Sequence, residues 1–349
     1  MPFESIGLEG FAGGGGLPAG GGLPAGKGRL LPLSDKVALG EFVCAMGVFD
    51  GFHEGHRFIV GATVAQARRL GLAAVGITFD KDPDELFLDP AKQRKLLLNE
   101  DRIGFLAASG LDAVLILPFD AGLSALLPRD FLDAVIATHG SPRGIHVGSD
   151  FRFGHKAQGT VEDLRVWGAQ HGCEVCAHDL LCDEGFVVTA TCIRDALGAG
   201  DLALANKLLT RPHFLWAQVV KGRSAGKGLG FPTANLLCEE HLVRPVDGVY
   251  ATVVAIDGKL YKAATSVGAP ATFADAAPTI EAHILDFDGD LYGQRLQVFF
   301  VEYLRPMMEF ASVEELQKTV FANIEQTRAM VIAPSVYSCV RRSPGTCSL

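Results

Sequence analysis

Two histidines stand three residues apart in the segment GVFDGFHEGH, Gly47 to His56, directly after the apolar run FVCAMG. Residues at this spacing share one face of a helix, and the N-terminus of a helix attracts anions. His53 and His56 at such a helix start could donate hydrogen bonds to a phosphate whose charge grows as it is attacked. Gly47, Gly51 and Gly55 would allow close approach of the backbone. The spacing alone leaves a second interpretation open, a capped helix with two surface histidines.

A second glycine-rich segment, GKGLGFPTAN, runs from Gly226 to Asn235 and precedes a strand-rich region. It is not a P-loop, because no helix follows it and its lysine does not close a GxxxxGK[ST] pattern. Its residues alone indicate a turn whose backbone is fixed by proline. Further along, Glu281 stands in the otherwise apolar alternation of TIEAHILDFDGDLYG. A lone glutamate in a strand usually lies on the solvent face, so this pattern by itself assigns Glu281 no chemistry.

The elements that must position the histidines alternate between strand and helix from Glu41 to about Leu180. The strand segments are FVCAMG, AAVGITF, AVLILPF, GIHVGS and EVCAHDL. The helical segments are HRFIVGATVAQARRL, the region from Lys92 to Ser109, RDFLDAVIATHG and VEDLRVWGAQHG. Strict alternation predicts right-handed crossovers and a parallel sheet covered on both faces. Ligands of such sheets bind beyond the carboxyl ends of the strands, which is where His53 and His56 fall.

The pattern changes in the second half of the chain. From Phe214 to about Leu304, strands alternate with turn residues, and DGK inside GVYATVVAIDGKLYKAATSVG is a hairpin signal. This predicts an antiparallel barrel or sandwich. A helix from about Ser312 to Met330 closes it, and Ser312 with Glu315 has the spacing of a capping box. The region Ile193 to Leu209 predicts a helical connector.

Length and composition bound the class of protein. The 349 residues favour two domains, and a net charge of −9 without a dense basic cluster argues against a nucleic-acid partner. No apolar run reaches the roughly 18 residues of a membrane span, and the N-terminus lacks the pattern of a secretory signal. Eight scattered cysteines favour a reduced, cytoplasmic protein. The CxxC of Cys173 and Cys176 alternates like a strand, so a redox or metal role is the less favoured interpretation.

The predicted boundaries follow these changes. Residues 1–40 are a Gly-rich flexible extension and lead-in, 41–192 the first domain, 193–211 the helical connector, 212–332 the second domain and 333–349 a flexible tail. The extension contains GLPAG twice and buries little apolar surface. The tail mixes Pro, Ser, Gly, Arg and Cys without periodicity.

Beyond its spacing, GVFDGFHEGH carries the HxGH signature of the nucleotidylyltransferase superfamily. It resembles the extended form found in the FMN adenylyltransferase half of bacterial bifunctional riboflavin kinase/FAD synthetases. VGSDFRFGHKAQGT and TATCIRDALGAGDLALANKLLTRPH are similar to two later segments of that family, in the same order. The resemblance implies that His53 and His56 stabilise the α-phosphate of ATP. It also implies ATP contacts from Gly47, Phe49, Asp50, Gly55, Thr189 and Thr191, and flavin contacts from Asp150 and Phe153.

Arg194 lies in the last of these segments. The resemblance implies that its guanidinium holds the charge of the departing pyrophosphate. The alternative is a buried arginine at a helix start, paired with Asp195 or Asp201.

The downstream segment resembles the GxxLGFPTANL signature of riboflavin kinases. In that family the threonine and asparagine of PTAN engage Mg²⁺ and ATP phosphates, which implies a metal role for Thr233 and Asn235. IEAHILDFDGDLYG resembles the strand that carries the catalytic carboxylate, here Glu281, as general base toward the riboflavin 5′-hydroxyl. The remaining implied contacts are Gly226, Lys227 and Gly228 to ATP, and Arg305 and Phe310 to the flavin.

Several residues depart from the family pattern. Asp82 stands where many members have a histidine before proline, and Ala271 interrupts the usual Arg-Pro-Thr-Phe order. Met307 stands where an acid often follows Arg-Pro. The departures concern the loop toward FMN and the kinase half, whereas Thr233, Asn235 and Glu281 are all present.

The resemblance covers about residues 40 to 330 and implies a Rossmann-like nucleotidylyltransferase domain followed by a β-barrel riboflavin kinase domain. The implied function is phosphorylation of riboflavin to FMN and adenylyl transfer from ATP to FMN, giving FAD and pyrophosphate, with Mg²⁺ in both sites. Riboflavin, FMN, FAD and ATP are then its partners. The alternatives are a single retained activity, a non-enzymatic flavin-binding regulator on the same fold, or adenylyl transfer to another acceptor.

Overall fold

The computed structural model describes residues 29–32, 38–222, 230–268 and 279–340. Contacts between residues divide the chain into two units, with the boundary between Ala190 and Thr191.

The first unit is built on strands separated by helices. Its strands are β1 (Arg29–Pro32), β2 (Gly40–Met46), β3 (Ala73–Phe79), β4 (Ala113–Leu117), β5 (Gly140–Gly148), β6 (Glu174–His178), β7 (Cys182–Asp183) and β8 (Phe186–Val187). Its helices are α1 (Glu54–Leu70), α2 (Asp84–Phe87), α3 (Asn99–Ala107), α4 (Ala121–Ala125), α5 (Pro128–Leu132) and α6 (Val161–His171). A π-helical turn, Asp133–Ala137, continues α5.

Six of these strands form one parallel sheet in the order β1-β4-β3-β2-β5-β6. The chain moves in one direction from β2 to β3 and β4, and then returns to place β5 on the other side of β2. The strand order therefore reverses between β2 and β5, and ligands of open α/β sheets bind at the carboxyl end of such a reversal. The loops that follow β2 and β5 leave the sheet at this position, and the parallel pairing of all six strands confirms the parallel-sheet prediction.

Helix α1 begins directly after His53 and covers the sheet. Its buried residues Val60, Thr63, Gln66 and Ala67 recur at helical spacing, so one stripe faces the strands. Gln66 also fixes the helix by polar contacts, since its Nε2 donates to Glu174 Oε2 (2.7 Å) and its Oε1 lies 2.7 Å from His146 Nε2. The helix that carries the histidines is thus held against β5 and β6.

The second unit begins with two helices and continues as strands. Its helices are α7 (Ala190–Ala199), α8 (Leu202–Leu209), α9 (Val313–Ala329) and α10 (Pro334–Cys339). Its strands are β9 (His213–Val220), β10 (Ala234–Cys238), β11 (Gly248–Ile256), β12 (Lys259–Gly268), β13 (Thr279–Ile284) and β14 (Arg295–Arg305). They form a closed antiparallel barrel in the order β10-β13-β12-β11-β14-β9. The structure therefore confirms a barrel over a sandwich.

Local sequence explains two features of the barrel. Asp257 and Gly258 both have positive φ, as a two-residue hairpin turn requires, and they join β11 to β12 where DGK predicted the hairpin. Ser312 caps α9 by accepting from the backbone N–H of Glu315, as predicted. The Glu315 carboxylate accepts from Ala311 N, one residue before the cap, so the box closes differently from the standard pattern.

Several elements were not predicted from the sequence, among them the short helices α2 and α4, the strands β1, β7 and β8, and helix α10. β1 pairs with β4 at the sheet edge, although it lies in the stretch assigned to the lead-in. α10 lies in the stretch assigned to the tail; Val336 and Cys339 are buried, and the Cys339 carbonyl accepts from Gln297 Nε2 (3.1 Å). The β7–β8 hairpin precedes α7.

Buried His213 makes the stability of the barrel dependent on pH. Its ring is 1% exposed, its Nε2 lies 3.0 Å from the Val243 carbonyl, and burial, with nearby Arg211, lowers its pKa to about 4. His213 is therefore protonated near pH 6.5 in the unfolded chain, but only near pH 4 in the native state. The stabilisation is complete above the unfolded pKa and is lost as the pH falls through this window.

We expect the free energy of unfolding to be about 2 kcal/mol lower near pH 5 than near pH 7.5 from His213 alone. The measurement is denaturant unfolding at both pH values, followed by Trp216 fluorescence in a Trp167→Phe background. His213→Gln should remove most of this difference. An equal pH dependence in His213→Gln would show that other groups cause it.

Candidate active sites

The loop after β2 has an unusual backbone. Phe49 (φ 62°) and Phe52 (φ 39°) adopt left-handed conformations that non-glycine residues rarely take, and Gly51 between them has φ 74°. Both phenylalanine rings are buried, and Phe52 stacks on Phe105. Such backbone strain persists only where the surroundings fix it, and it concentrates at functional sites. The loop delivers His53 to the start of α1.

The two histidines stack on each other. Their ring centroids are 3.7 Å apart with planes inclined by 19°, and the edge of Phe49 packs against His56. Gly55 permits this arrangement, because a Cβ there would lie 3.2 Å from the His53 ring and 3.5 Å from the Val188 carbonyl. The predicted pair therefore exists as a compact unit rather than as two separate surface side chains.

The electrostatics of the pair favour an uncharged His56. Burial, the neighbouring His53 and the guanidinium of Arg102 hold the pKa of His56 well below its usual range. The Nδ1 of His56 is buried and has no hydrogen-bond partner among the described residues. Buried polar atoms without a partner are rare, and here one belongs to a residue that the sequence assigns to phosphate binding.

Asp50 has a structural contact that the sequence did not indicate. It is buried, and its carboxylate accepts from the backbone N–H groups of Leu96 (3.1 Å) and Leu97 (3.3 Å). Phe49 likewise packs inward, and Gly47 N donates to the Ile77 carbonyl (3.2 Å). In the structure these residues shape the loop.

The loop after β5 carries Asp150 and Phe153. Asp150 is exposed, and its carboxylate turns back over Gly148, where a Cβ would meet Oδ1 at 2.8 Å. Phe153 is only 5% exposed and packs on Phe131 and Phe151. Phe153 thus anchors the loop in the core, and half-buried Phe151 lies nearer the surface.

The segment implied to bind ATP phosphates surrounds the start of α7. Thr189 directly precedes this helix, and Thr191 and Arg194 lie in its first turns. Thr191 is exposed, while Thr189 and Arg194 are partly buried. The start of a helix is suited to anions, and the phosphate role of these three residues stays a prediction.

In the barrel, the predicted residues Thr233, Asn235 and Glu281 lie close together. Asn235 on β10 and Ser266 on β12 both lie directly opposite Glu281 on β13. The side chains of Asn235, Ser266 and Glu281 therefore share one face of the barrel. Thr233 Oγ1 donates to Glu281 Oε2 at 3.3 Å. Gly222 also approaches, since a Cβ there would overlap the Asn235 amide.

Glu281 lies on the outer face of the barrel, as the alternation predicts, but it is half-buried rather than fully exposed. Its neighbours Ile280 and Ala282 are buried inside. On the same outer face, α9 packs against β12 through a small apolar cluster. The cluster consists of Phe231, Leu285 and Ile324, with Ala264 and Val320 against it. Helix α9 and the segment around Phe231 therefore enclose the side of the barrel that carries Glu281.

Arg305 and Phe310 also meet. The Arg305 guanidinium lies 5.7 Å from the centre of the Phe310 ring, and its Nε donates to Asn323 Oδ1 on α9 (2.9 Å). Desolvation lowers the pKa of Arg305.

Some of the predicted positions lie outside the described residues. These are the predicted ATP contacts Gly226, Lys227 and Gly228 and the departure from the family pattern at Ala271. Met307 follows β14 and is partly buried.

Comparisons with known proteins match each unit separately. A family model described as FAD synthetase matches residues 35–192, and one described as riboflavin kinase matches residues 209–331. A bifunctional riboflavin kinase/FMN adenylyltransferase of Pseudomonas fluorescens is 34% identical over 84% of this chain and 94% of its own length. The Escherichia coli K12 enzyme of the same name is 33% identical over 79% of this chain and 88% of its own.

This chain belongs to the bifunctional riboflavin kinase/FMN adenylyltransferase family. It carries both enzyme domains, in the order that the sequence predicts. A crystal structure described as a macrolide-efflux protein from Streptococcus pneumoniae has a TM-score of 0.77 and 30% identity, covering 86% of this chain and 99% of that one. Among the described residues, no helix is long and apolar enough to span a bilayer.

The structure also places Asp82, which departs from the family pattern, and the CxxC of Cys173 and Cys176. Asp82 begins the turn that leads into α2: its Oδ1 accepts from Asp84 N (3.0 Å), and its own N–H donates to Glu85 Oε1 (2.9 Å). Burial raises the pKa of Cys173 to about 12 and that of Cys176 above its usual value, which disfavours the thiolate form of both side chains.

Sequence reasoning missed an exposed aromatic side chain linked to the carboxyl end of β3. Phe87 on α2 is 66% exposed and packs edge-on against Phe119, which in turn contacts Phe79 at the end of β3. It stands in a segment whose only notable feature in the sequence was Asp82. An exposed phenylalanine at the carboxyl end of the sheet is a surface on which a flat ring system can stack.

Proposed function

We propose that this chain makes FAD from riboflavin in two steps, each in its own unit. Riboflavin and ATP give FMN and ADP on the barrel, and FMN and a second ATP give FAD and pyrophosphate on the parallel sheet. One observation carries the proposal: each family model matches a unit in which the expected reactive side chains are in contact with one another. These are Glu281 with Thr233 in one unit and His53 with His56 in the other.

In the kinase step, Glu281 acts as the general base. Its carboxylate accepts the proton of the riboflavin 5′-hydroxyl as the oxygen attacks the γ-phosphorus of ATP. Thr233 already donates to Oε2, which orients the carboxylate and leaves its other oxygen for the substrate. Arg305 and Phe310 pack on each other next to Asn323 of α9, and we propose that they contact the flavin.

The donor set fits a magnesium ion. Thr233 and Asn235 supply a hydroxyl and an amide oxygen, and Mg²⁺ accepts such oxygen ligands together with substrate phosphates and water, which leaves the Glu281 carboxylate to act as the base. Among the described residues, no group of three or more His, Cys, Asp or Glu side chains could hold a metal ion. The bound Mg²⁺ would therefore take further ligands from ATP and water. When bound, Mg²⁺ neutralises phosphate charge.

In the adenylyl step, the FMN phosphate is already an anion and needs no base. His53 and His56 donate hydrogen bonds to the α-phosphate as its charge grows, at the reversal point of the sheet. Asp150 on the neighbouring loop, with Phe153 behind it, is proposed to face the flavin. The ATP contacts of Gly47, Phe49, Asp50, Gly55, Thr189, Thr191, Arg194, Gly226, Lys227 and Gly228 rest on the family resemblance.

We also propose the boundaries 41–192 and 212–332 for the two domains and a cytoplasmic location. The location rests on the free cysteines among the described residues and on the compartment in which ATP is abundant.

The test is a chromatographic product assay with riboflavin, ATP and Mg²⁺. FMN should appear first and FAD after it, and an excess of chelator should abolish both. Formation of only one product would support a chain with a single retained activity. Flavin binding without ATP consumption would support a regulatory protein and contradict the proposal.

A further inference from the structure

The buried side chain of Arg102 is the feature that the proposed mechanism leaves unexplained. Arg102 lies on α3, is 1% exposed, and makes four hydrogen bonds. Nη1 donates to the Val48 carbonyl (2.7 Å) and to Thr78 Oγ1 (2.6 Å). Nη2 donates to the Phe79 carbonyl (2.8 Å) and to Asn99 Oδ1 (3.2 Å). A guanidinium is costly to bury, and all four acceptors that it reaches among the described residues are uncharged.

These acceptors lie at the carboxyl ends of two neighbouring strands. Val48 follows β2, and Thr78 and Phe79 end β3. The Thr78 hydroxyl also donates weakly to the Val48 carbonyl (3.4 Å), so this oxygen has two donors. Arg102 therefore fastens the start of the histidine loop to the adjacent strand.

The loop needs such support because of its backbone. Phe49, directly after Val48, is the first of its left-handed residues, a conformation that strains a non-glycine backbone. Arg102 holds the loop through the Val48 carbonyl, and the backbone N–H groups of Leu96 and Leu97 hold it through the Asp50 carboxylate. Between the two, the chain has little freedom before it reaches His53.

The charge of Arg102 also acts on the site. It contributes, after burial and His53, to the low pKa of His56. Burial lowers the pKa of Arg102 itself, opposed by Asp82, Asp50, Glu85 and Asp80. The carboxylates lie near enough to reduce the cost of burial without contacting the guanidinium.

We propose that Arg102 is the positioning residue of the adenylyl-transfer site, holding the Gly47–His53 loop so that the two imidazoles meet the nucleotide. Arg102 does not touch the reacting atoms. The inference rests on the proposed function of this unit and adds a residue that neither the HxGH motif nor its spacing indicates.

The test compares full-length Arg102→Lys and Arg102→Met with the unchanged chain. A misplacement of about 1 Å costs about 10²-fold in rate, so we expect kcat for FAD formation from FMN to fall by about that factor in Arg102→Met, with a much smaller change in the KM for ATP. Arg102→Lys keeps the charge and part of the bonding, and should lose about tenfold. FMN formation by the same molecules should not change, which shows that the barrel is folded, and slow amide exchange in β4 and β5 shows that the unit containing Arg102 is folded.

Hydrogen exchange gives a readout that does not depend on activity. The amides of residues 47–53 should exchange faster in Arg102→Lys, whereas those of the barrel should not. The matched control is Arg68→Lys, an exposed arginine of the same unit that pairs with Asp112, which should leave both readouts unchanged. If Arg102→Met fails to fold, Arg102→Lys decides.

Two outcomes would overturn the inference: a folded Arg102→Lys with full FAD turnover and unchanged exchange, or a rise in KM alone. If the unchanged chain makes no FAD, the proposed function fails instead. The exchange experiment still tests the loop contact in that case.

Discussion

Replacing Glu281 with glutamine should lower the rate of FMN formation by about 10²–10⁴-fold, the usual contribution of a general base. Glutamine keeps the shape and can still accept from Thr233 Oγ1, but it cannot take up the proton of the riboflavin hydroxyl. Binding of ATP and riboflavin should change little, so the loss should appear in kcat. The measurement is the initial rate of FMN formation with saturating substrates.

The same variant supplies an internal control. Glu281→Gln should convert supplied FMN to FAD at the unchanged rate, because His53 and His56 lie in the other unit. Glu302→Gln, an exposed glutamate on barrel strand β14, is the matched control and should make FMN normally. Full kinase activity in Glu281→Gln would rule out its role as base.

Replacing His53 with alanine should lower FAD formation by about 10²–10³-fold, as expected when a hydrogen-bond donor to the developing charge is removed. The loss includes a second effect, since His53 stacks on His56 and keeps it in place. FMN formation should be unaffected. The rate of FAD formation from supplied FMN measures the change.

His171→Ala is the matched control for this experiment. His171 is an exposed histidine of the same unit that stacks on Trp167 at the end of α6. Its removal should leave FAD formation intact. A His53→Ala variant that forms FAD as fast as His171→Ala would contradict the assignment of the imidazole pair.

The sequence predicted the fold where local pattern and packing agree. Strand and helix alternate as expected up to β6, and β3 matches AAVGITF residue for residue because a sheet buried on both faces requires an unbroken apolar run. β1 and α10 were missed because four and six residues carry too little periodicity to stand out from irregular chain. Their burial depends on partners distant in sequence.

The reactive side chains could be predicted, but the residues that hold them could not. Motif spacing places His53 beside His56 in the first unit. In the barrel, motif spacing and strand register place Thr233 and Asn235 beside Glu281. Arg102 shares no motif with them, and its contacts with Val48 and Phe79 exist only once β2, β3 and α3 have packed. Phe153 shows the reverse: the motif implied a ligand contact, whereas the structure uses the ring in the core.

The most direct measurement mixes the two variants. His53→Ala alone should turn riboflavin and ATP into FMN with only slow onward formation of FAD, and Glu281→Gln alone should convert riboflavin only slowly. Because FMN can leave one molecule and enter another, the mixture of both proteins should form FAD much faster than either variant alone. A mixture that forms FAD no faster than the single variants, or a single variant that makes FAD from riboflavin at the rate of the unchanged chain, would contradict two separate sites for the two steps.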